Sequence, residues 1–310
     1  MAILFALWFA QANAGETVLL TTLYSFSGPD SANPVGLLQA RDGNFYGTTS
    51  ANDIASNNGP YGTVFRITPD GAFTNLHVFD GVSDGKWPQV GLAQDTDGNI
   101  YGTTYRGGTS GGWGTVFKIT PSGEFTTVHS FNIPGNDASS LLVRASDGNF
   151  YTMLNQSGTF SLGTLFRVAP DGSVTELVSF DGIGGYTGWL SNNPLLQGAD
   201  GNLYGATAQG GPAFVARLSF DVGYGTLFKM TLDGTLNTLV GFNGTNGAYP
   251  TALVQAPDGN VYGTTSQGGP EFVNRSGGSG TVFKLTTNGV FTTLAVFDRT
   301  RQDSFFVSFG

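Results

Sequence analysis

Few side chains in this 310-residue sequence could run acid–base chemistry: two histidines and 22 acids, with no cysteine. Without cysteine there are no disulfides, thiolate metal sites or cysteine nucleophiles. His77, in Leu-His-Val-Phe, and His129, in Val-His-Ser-Phe, share one repeat position that elsewhere holds Tyr24, Val178, Val240 or Ala295. A position that accepts valine or alanine is structural, so no Ser-His-Asp arrangement follows and no catalytic residue is expected. Cleaving a glycosidic bond would need two carboxylates facing each other. Asp53, Asp84, Asp137, Asp221 and Glu271 fall in connecting loops, but no spacing singles out a pair.

Two other patterns carry chemistry. Asp-Gly-Asn recurs five times, beginning at Asp42, Asp97, Asp147, Asp200 and Asp258, and its oxygens suit calcium. A tight hairpin asks for the same residues and the EF-hand spacing is absent, so neither a metal nor a cofactor is expected. Flat aromatic side chains can stack on sugar rings or anchor a protein partner. Trp87, Trp113, Trp189, Tyr61, Tyr224 and Tyr249 all fall in loops and form the candidate binding set. For Tyr61, Trp113 and Tyr224, which precede a Gly-Thr phrase, packing between loops is the competing reading.

These residues must be positioned by a repeated scaffold. Asp-Gly-Asn continues into an apolar residue and Tyr, and a second phrase, Gly-Thr-(Val/Leu)-Phe-(Arg/Lys), follows in every copy. The copies lie roughly 50–60 residues apart, the period of stacked supersecondary units. Each holds four short β-type runs, which we label A to D; in the second copy they are Val90 to Gln94, Asn99 to Thr104, Thr115 to Thr120 and Phe125 to Phe131. Four strands per copy predict an all-β chain, a β-propeller of five four-stranded blades with almost no helix. Residues 18 to 26 match strand D, however, so a six-bladed ring with an incomplete blade is the alternative. The A–B and C–D turns are short in every copy, whereas the B–C and D–A connections vary, which makes their shared end the candidate working face. Strand A carries Gln39, Gln94, Gln197 and Gln255, with Val143 in the third copy, where an inner-strand acid would stand in a propeller glycosidase.

Composition narrows the function classes. A formal net charge of −9 with 13 dispersed basic residues disfavours nucleic acid. The short apolar run from Ala2 to Ala10, followed by Gln-Ala-Asn-Ala, resembles a secretory signal cleaved after Ala14, although no basic residue precedes it. The expected organisation is a signal at 1–14, a repeat domain at 15–298 and an irregular tail at 299–310. No other stretch could span a membrane, and a monomer is expected.

The phrases Leu37 to Ala40, Asp42 to Thr49 and Gly62 to Gly71 resemble the bacterial GloVer (Gloeo/Verruco) tandem repeats found in exported choice-of-anchor proteins. The resemblance covers nearly the whole chain after Ala14 and implies a secreted or surface protein. Two departures stand out: Thr152-Met153-Leu154 replaces Gly-Thr-Thr in the third copy, and no anchor follows Phe297. The expectation is a non-catalytic extracellular binding propeller with a carbohydrate or protein ligand on the variable face. A purely structural surface or adhesion repeat and a carbohydrate-active propeller enzyme using loop carboxylates remain as alternatives.

Overall fold

The computed structural model describes residues 2–3, 22–26, 33–50, 61–88, 91–109, 111–132, 141–155, 157–181, 195–211, 223–271 and 278–297. Trp189, Asp53, Asp137 and Asp221, most of the expected signal and the expected tail lie outside them.

Every element among the described residues is a strand. The first blade is β3 (Pro34–Gln39), β4 (Phe45–Thr49), β5 (Thr63–Ile67) and β6 (Phe73–Val78). The second is β7 (Ala93–Gln94), β8 (Ile100–Thr104), β9 (Thr115–Ile119) and β10 (Phe125–Ser130), and the third is β11 (Val143–Arg144), β12 (Phe150–Leu154), β13 (Thr164–Val168) and β14 (Val174–Ser179). β15 (Leu195–Gln197), β16 (Leu203–Thr207), β17 (Thr226–Met230) and β18 (Leu236–Gly241) make the fourth, and β19 (Ala248–Gln255), β20 (Val261–Gln267), β21 (Thr281–Leu285) and β22 (Phe291–Val296) the fifth. Each is an antiparallel sheet with strands A to D side by side in chain order. A short ribbon pairs β1 (Ala2–Ile3) with β2 (Ser25–Phe26). The chain forms two compact units, Met1–Phe131 with the first two blades and Asn132–Gly310 with the other three. No helix of the described residues is long and apolar enough to cross a membrane.

Within a blade, the B-strand glycine lies directly under the C-strand phenylalanine: Gly47 under Phe65, Gly102 under Phe117, Gly205 under Phe228 and Gly263 under Phe283. A β-carbon on Gly102 would stand 2.5 Å from Phe117 Cζ. The sequence departure in the third copy puts Thr152 opposite Phe166, yet β12 pairs with β13 over five residues, as β8 does with β9. What that copy loses is a hydroxyl pair. The strand-end threonines bond to each other in the other blades, for example Thr104 with Thr115 at 2.9 Å, whereas Leu154 faces Thr164 and leaves the buried Thr164 Oγ1 without a partner among the described residues.

Blades meet through phenylalanine. Within each unit the ring after a D strand packs on the C-strand ring of the next blade, Phe79 on Phe117 at 5.4 Å, Phe180 on Phe228 at 5.8 Å and Phe242 on Phe283 at 5.6 Å. Phe26 does the same to Phe65 at 5.1 Å, so residues 22–26 take the place of a preceding blade's fourth strand. At the other extreme, β22 leaves Leu294 and Val296 about half exposed. The position shared by the histidines also serves this junction. Tyr24 stacks on Phe73 and His77 on Phe125, each with rings 8° from parallel.

Candidate functional site

The short-turn end is closed by its own hydrogen bonds. In the Asp42 turn the carboxylate accepts the Asn44 amide at 3.0 Å, the Asn44 side chain at 2.9 Å and the Tyr46 hydroxyl at 2.8 Å. Asp147, Asp200 and Asp258 repeat the set. In the second copy Asp95 takes over, accepting the amides of Asp97 and Asn99. These contacts tie the Asp carboxylate to the strand-B tyrosine as well as to the hairpin. Lys229 adds an ion pair to Asp200 at 2.7 Å. Burial alone would raise the Asp200 carboxyl, but Lys229, Asn202 and Tyr204 bring it down to about 2. Gln94, Gln197 and Gln255 of the A strands work between blades. Gln94 accepts the Arg41 amide of the preceding blade at 3.0 Å and donates to Gly98 of its own turn at 3.1 Å. Gln197 bridges to Ser146, and Gln255 to Ala199, in the same way. Val143 cannot make this bond.

At the opposite end, the D–A loop from Asp80 to Pro88 caps itself. Asp80 accepts the amides of Val82 and Ser83, while Asp84 accepts the Asp80 amide at 2.9 Å and meets His77 Nε2 at 2.7 Å. Burial pushes the Asp84 carboxyl up, Asp80 adds to this and His77 opposes it. Asp80 is held well below the usual range, first by Asp84 and then by Ser83 and loop amides. The loop before β19 repeats the cap with Asn243 and Asn246. Because asparagine does the same work there, this acid pair is explained by loop geometry.

The loop then delivers Lys86 and Trp87. Trp87 has φ of 58°, a left-handed conformation that costs a bulky residue of order 1–3 kcal/mol. Its amide donates to Tyr61 O at 2.8 Å and its carbonyl accepts from Tyr105 N at 3.1 Å, which wedges it between two B–C loops. The indole is consequently buried, at 7% exposure, and its Nε1 has no partner among the described residues. The sequence left stacking on a ligand and packing between loops equally open for Trp87; the left-handed turn ahead of Pro88 folds the ring inward. Lys86 and Arg106 face each other in an antiparallel bridge, with reciprocal bonds of 2.7 and 3.2 Å. Each lies on rings: Lys86 Nζ is 4.6 Å from the Trp87 centroid and 5.5 Å from Tyr61, and Arg106 Cζ is 4.9 Å from Trp113 and 5.4 Å from Tyr105. Tyr61, Tyr105 and Trp113 are half-buried.

The second unit has a counterpart. Tyr249 also stands before a proline, with φ of 57°, and donates to Tyr224 O at 2.9 Å, the two rings meeting edge to face at 6.4 Å. Its bridge carries no cation, because Ala248 pairs with Gln267 where Lys86 pairs with Arg106. Thus Tyr61, Trp87 and Trp113 come together in one place, and Tyr224 and Tyr249 in another. Glu271, the remaining described loop acid, enters neither group. Sequence reading missed Lys86, Tyr105 and Arg106, whose signal is the alternation of basic and aromatic residues in Lys86-Trp87 and Tyr105-Arg106.

The profile of the Gloeobacter/Verrucomicrobia repeat matches residues 9–218 and 112–307. No curated protein matches the sequence. Among solved structures, a catalytically inactive virginiamycin B lyase from Staphylococcus aureus with quinupristin aligns at a TM-score of 0.56 and 16% identity, covering 91% of this chain and 74% of that one. A streptogramin B lyase aligns at 0.57 and 17%, with coverages of 88% and 72%. Regucalcin, a calcium-binding protein from Agrobacterium tumefaciens, aligns at 0.50 and 15%, with coverages of 87% and 75%. At these identities the likeness is one of fold, the β-propeller.

Proposed function

Because the chain belongs to the Gloeobacter/Verrucomicrobia repeat family, we propose that it is a non-catalytic binding propeller, exported or held at the cell surface, with a carbohydrate or protein ligand on its variable loop end. The carrying observation is that Tyr61, Trp87 and Trp113 gather around Lys86 and Arg106. Ring-backed cations at a loop end offer recognition without a nucleophile or a free general base. Catalysis is disfavoured there because the oxygens of Asp80 and Asp84 are engaged within the loop, and Asn243 and Asn246 repeat the arrangement. Trp189 belongs to the same proposal as a D–A loop residue of the sequence, outside the described residues.

The test is a titration of the full chain with soluble plant and microbial polysaccharides, followed by tryptophan emission. A saturable shift that Trp113→Ala weakens supports the reading. Silence across the panel removes the carbohydrate ligand.

A further inference from the structure

We propose that the chain assembles head to tail: the open face of the fifth blade docks on the first blade of a second copy, and Phe297 takes the seat that Phe26 fills in the single chain. The end of strand D is equivalent in all copies, and in the first four it is covered. Leu76, Val128, Leu177 and Leu239 are half-buried, and Phe79, Phe131, Phe180 and Phe242 are buried. In the fifth blade the same positions stand open, with Leu294 at 52% exposure, Ala295 exposed and Phe297 only half-buried. Within each unit the cover is the next blade. A β-carbon on Gly123, in the turn of the second blade, would stand 3.6 Å from Leu76 Cδ2, and one on Gly234 of the fourth would stand 3.3 Å from Leu177 Cβ.

A second copy carries the matching seat. On its first blade, Phe65, Phe73 and Gly71 meet residues 22–26 in place of a whole blade, and Leu23, Tyr24 and Phe26 stand there in the order of Leu294, Ala295 and Phe297. Tyr24 stacks on Phe73 at 4.1 Å and Phe26 meets Phe65 at 5.1 Å. This segment is held to the blade by side chains, because Ser25 and Phe26 pair with Ile3 and Ala2 and not with β3 to β6. Its departure leaves the blade's ladder intact. Phe297 for Phe26 exchanges one ring for another, while docking also takes Leu294 and its neighbours out of water, which drives the exchange forward. Neither residues 22–26 nor β22 carries a charge, so the surfaces that meet are neutral although the chain as a whole has a net charge of −9. The contact joins unlike faces, so every added copy offers a new open face.

The experiment is sedimentation velocity of the full chain over a wide concentration range, on wild type, Leu294→Asp, Phe26→Ala and Phe160→Asp, with a thermal melt of each. Leu294 is already exposed, so its variant tests the contact without disturbing the fold. Expected are species beyond a dimer whose share grows with concentration, and an association weakened about tenfold or more by Leu294→Asp. Phe26→Ala, which empties the seat, should strengthen it. Phe160 lies in a loop of the third blade and is 56% exposed, so Phe160→Asp should change nothing. A loss with Phe160→Asp as large as with Leu294→Asp marks indiscriminate adhesion of apolar surface and overturns the inference. Association that stops at a dimer joins like faces and overturns it as well. Weakening by Phe26→Ala puts residues 22–26 inside the contact rather than in its way, which overturns the exchange. A monomer at every concentration overturns the whole, and a lower melting temperature of Leu294→Asp in that monomer would show the face covered within one chain.

Discussion

Replacing Gly102 with alanine tests the packing of the blades most directly. The glycine sits mid-strand on β8 opposite Phe117, and its φ is not left-handed, so alanine meets no backbone objection. The new Cβ would stand 2.5 Å from Phe117 Cζ and 2.7 Å from Leu92 Cδ2, against a comfortable carbon–carbon separation of about 3.5–4.0 Å. The ring must therefore recede by roughly 1 Å. Phe117 is fully buried, with Phe79 at 5.4 Å and Phe125 at 5.6 Å, so the displacement passes into the junction between the first two blades. Overpacking of this kind costs about 1–3 kcal/mol. The lower chain entropy of unfolded alanine returns about 0.4–1 kcal/mol. A net loss of about 1–2 kcal/mol should lower the melting temperature of a unit this size by about 3–8 °C. The assay is urea and thermal denaturation of wild type, Gly102→Ala, Phe117→Leu and the double variant. Shortening the ring removes the atom in conflict, so the double variant should be more stable than the sum of the single losses by at least about 0.5 kcal/mol. A neutral Gly102→Ala, or strictly additive losses, would show that the ring is not what the glycine accommodates.

Thr164→Val should stabilise the chain by about 1 kcal/mol, because it removes a buried hydroxyl with no partner, whereas Thr115→Val, which breaks the bond to Thr104, should destabilise it; equal effects in urea denaturation would refute the assignment. For acid stability, the folded carboxyls of Asp42, Asp147 and Asp200 lie below the ordinary value of 3.8, so their contribution is present above that pH and lost as the pH falls through the folded values. Asp84 has the opposite sign. Urea midpoints should drop between about pH 4 and pH 2, and Asp200→Asn should begin lower and lose less; an unchanged pH profile in the variant would refute the role given to Lys229.

What the sequence made readable was everything repeated within a copy: the four strands, the two tight turns, the phenylalanine positions and the D-like character of residues 22–26. Periodic residues announce themselves because each copy solves the same packing problem. Relations between copies were harder to read. The strand-A glutamines looked like stand-ins for axial acids, yet they reach into the preceding blade's turn, a partner far away in sequence. The loops were least legible, because Trp87 owes its burial to one left-handed residue before a proline, and nothing in residue type predicts that an indole will take it. Likewise, Lys86 and Arg106 meet only because two irregular loops form one bridge.

The packing of Phe26 onto Phe65 and Phe79 onto Phe117 in one unit, and of Phe180 onto Phe228 and Phe242 onto Phe283 in the other, gives each unit a direction: within it, a blade hands a ring forward to the next. Where every donor and every acceptor is alike, one blade can be duplicated or deleted without any new interface having to be invented. Unequal exchange between gene copies could thus lengthen or shorten such a protein one blade at a time. The tight turns and phenylalanines would stay constant across such changes, and the outer parts of the loops would be left to diversify.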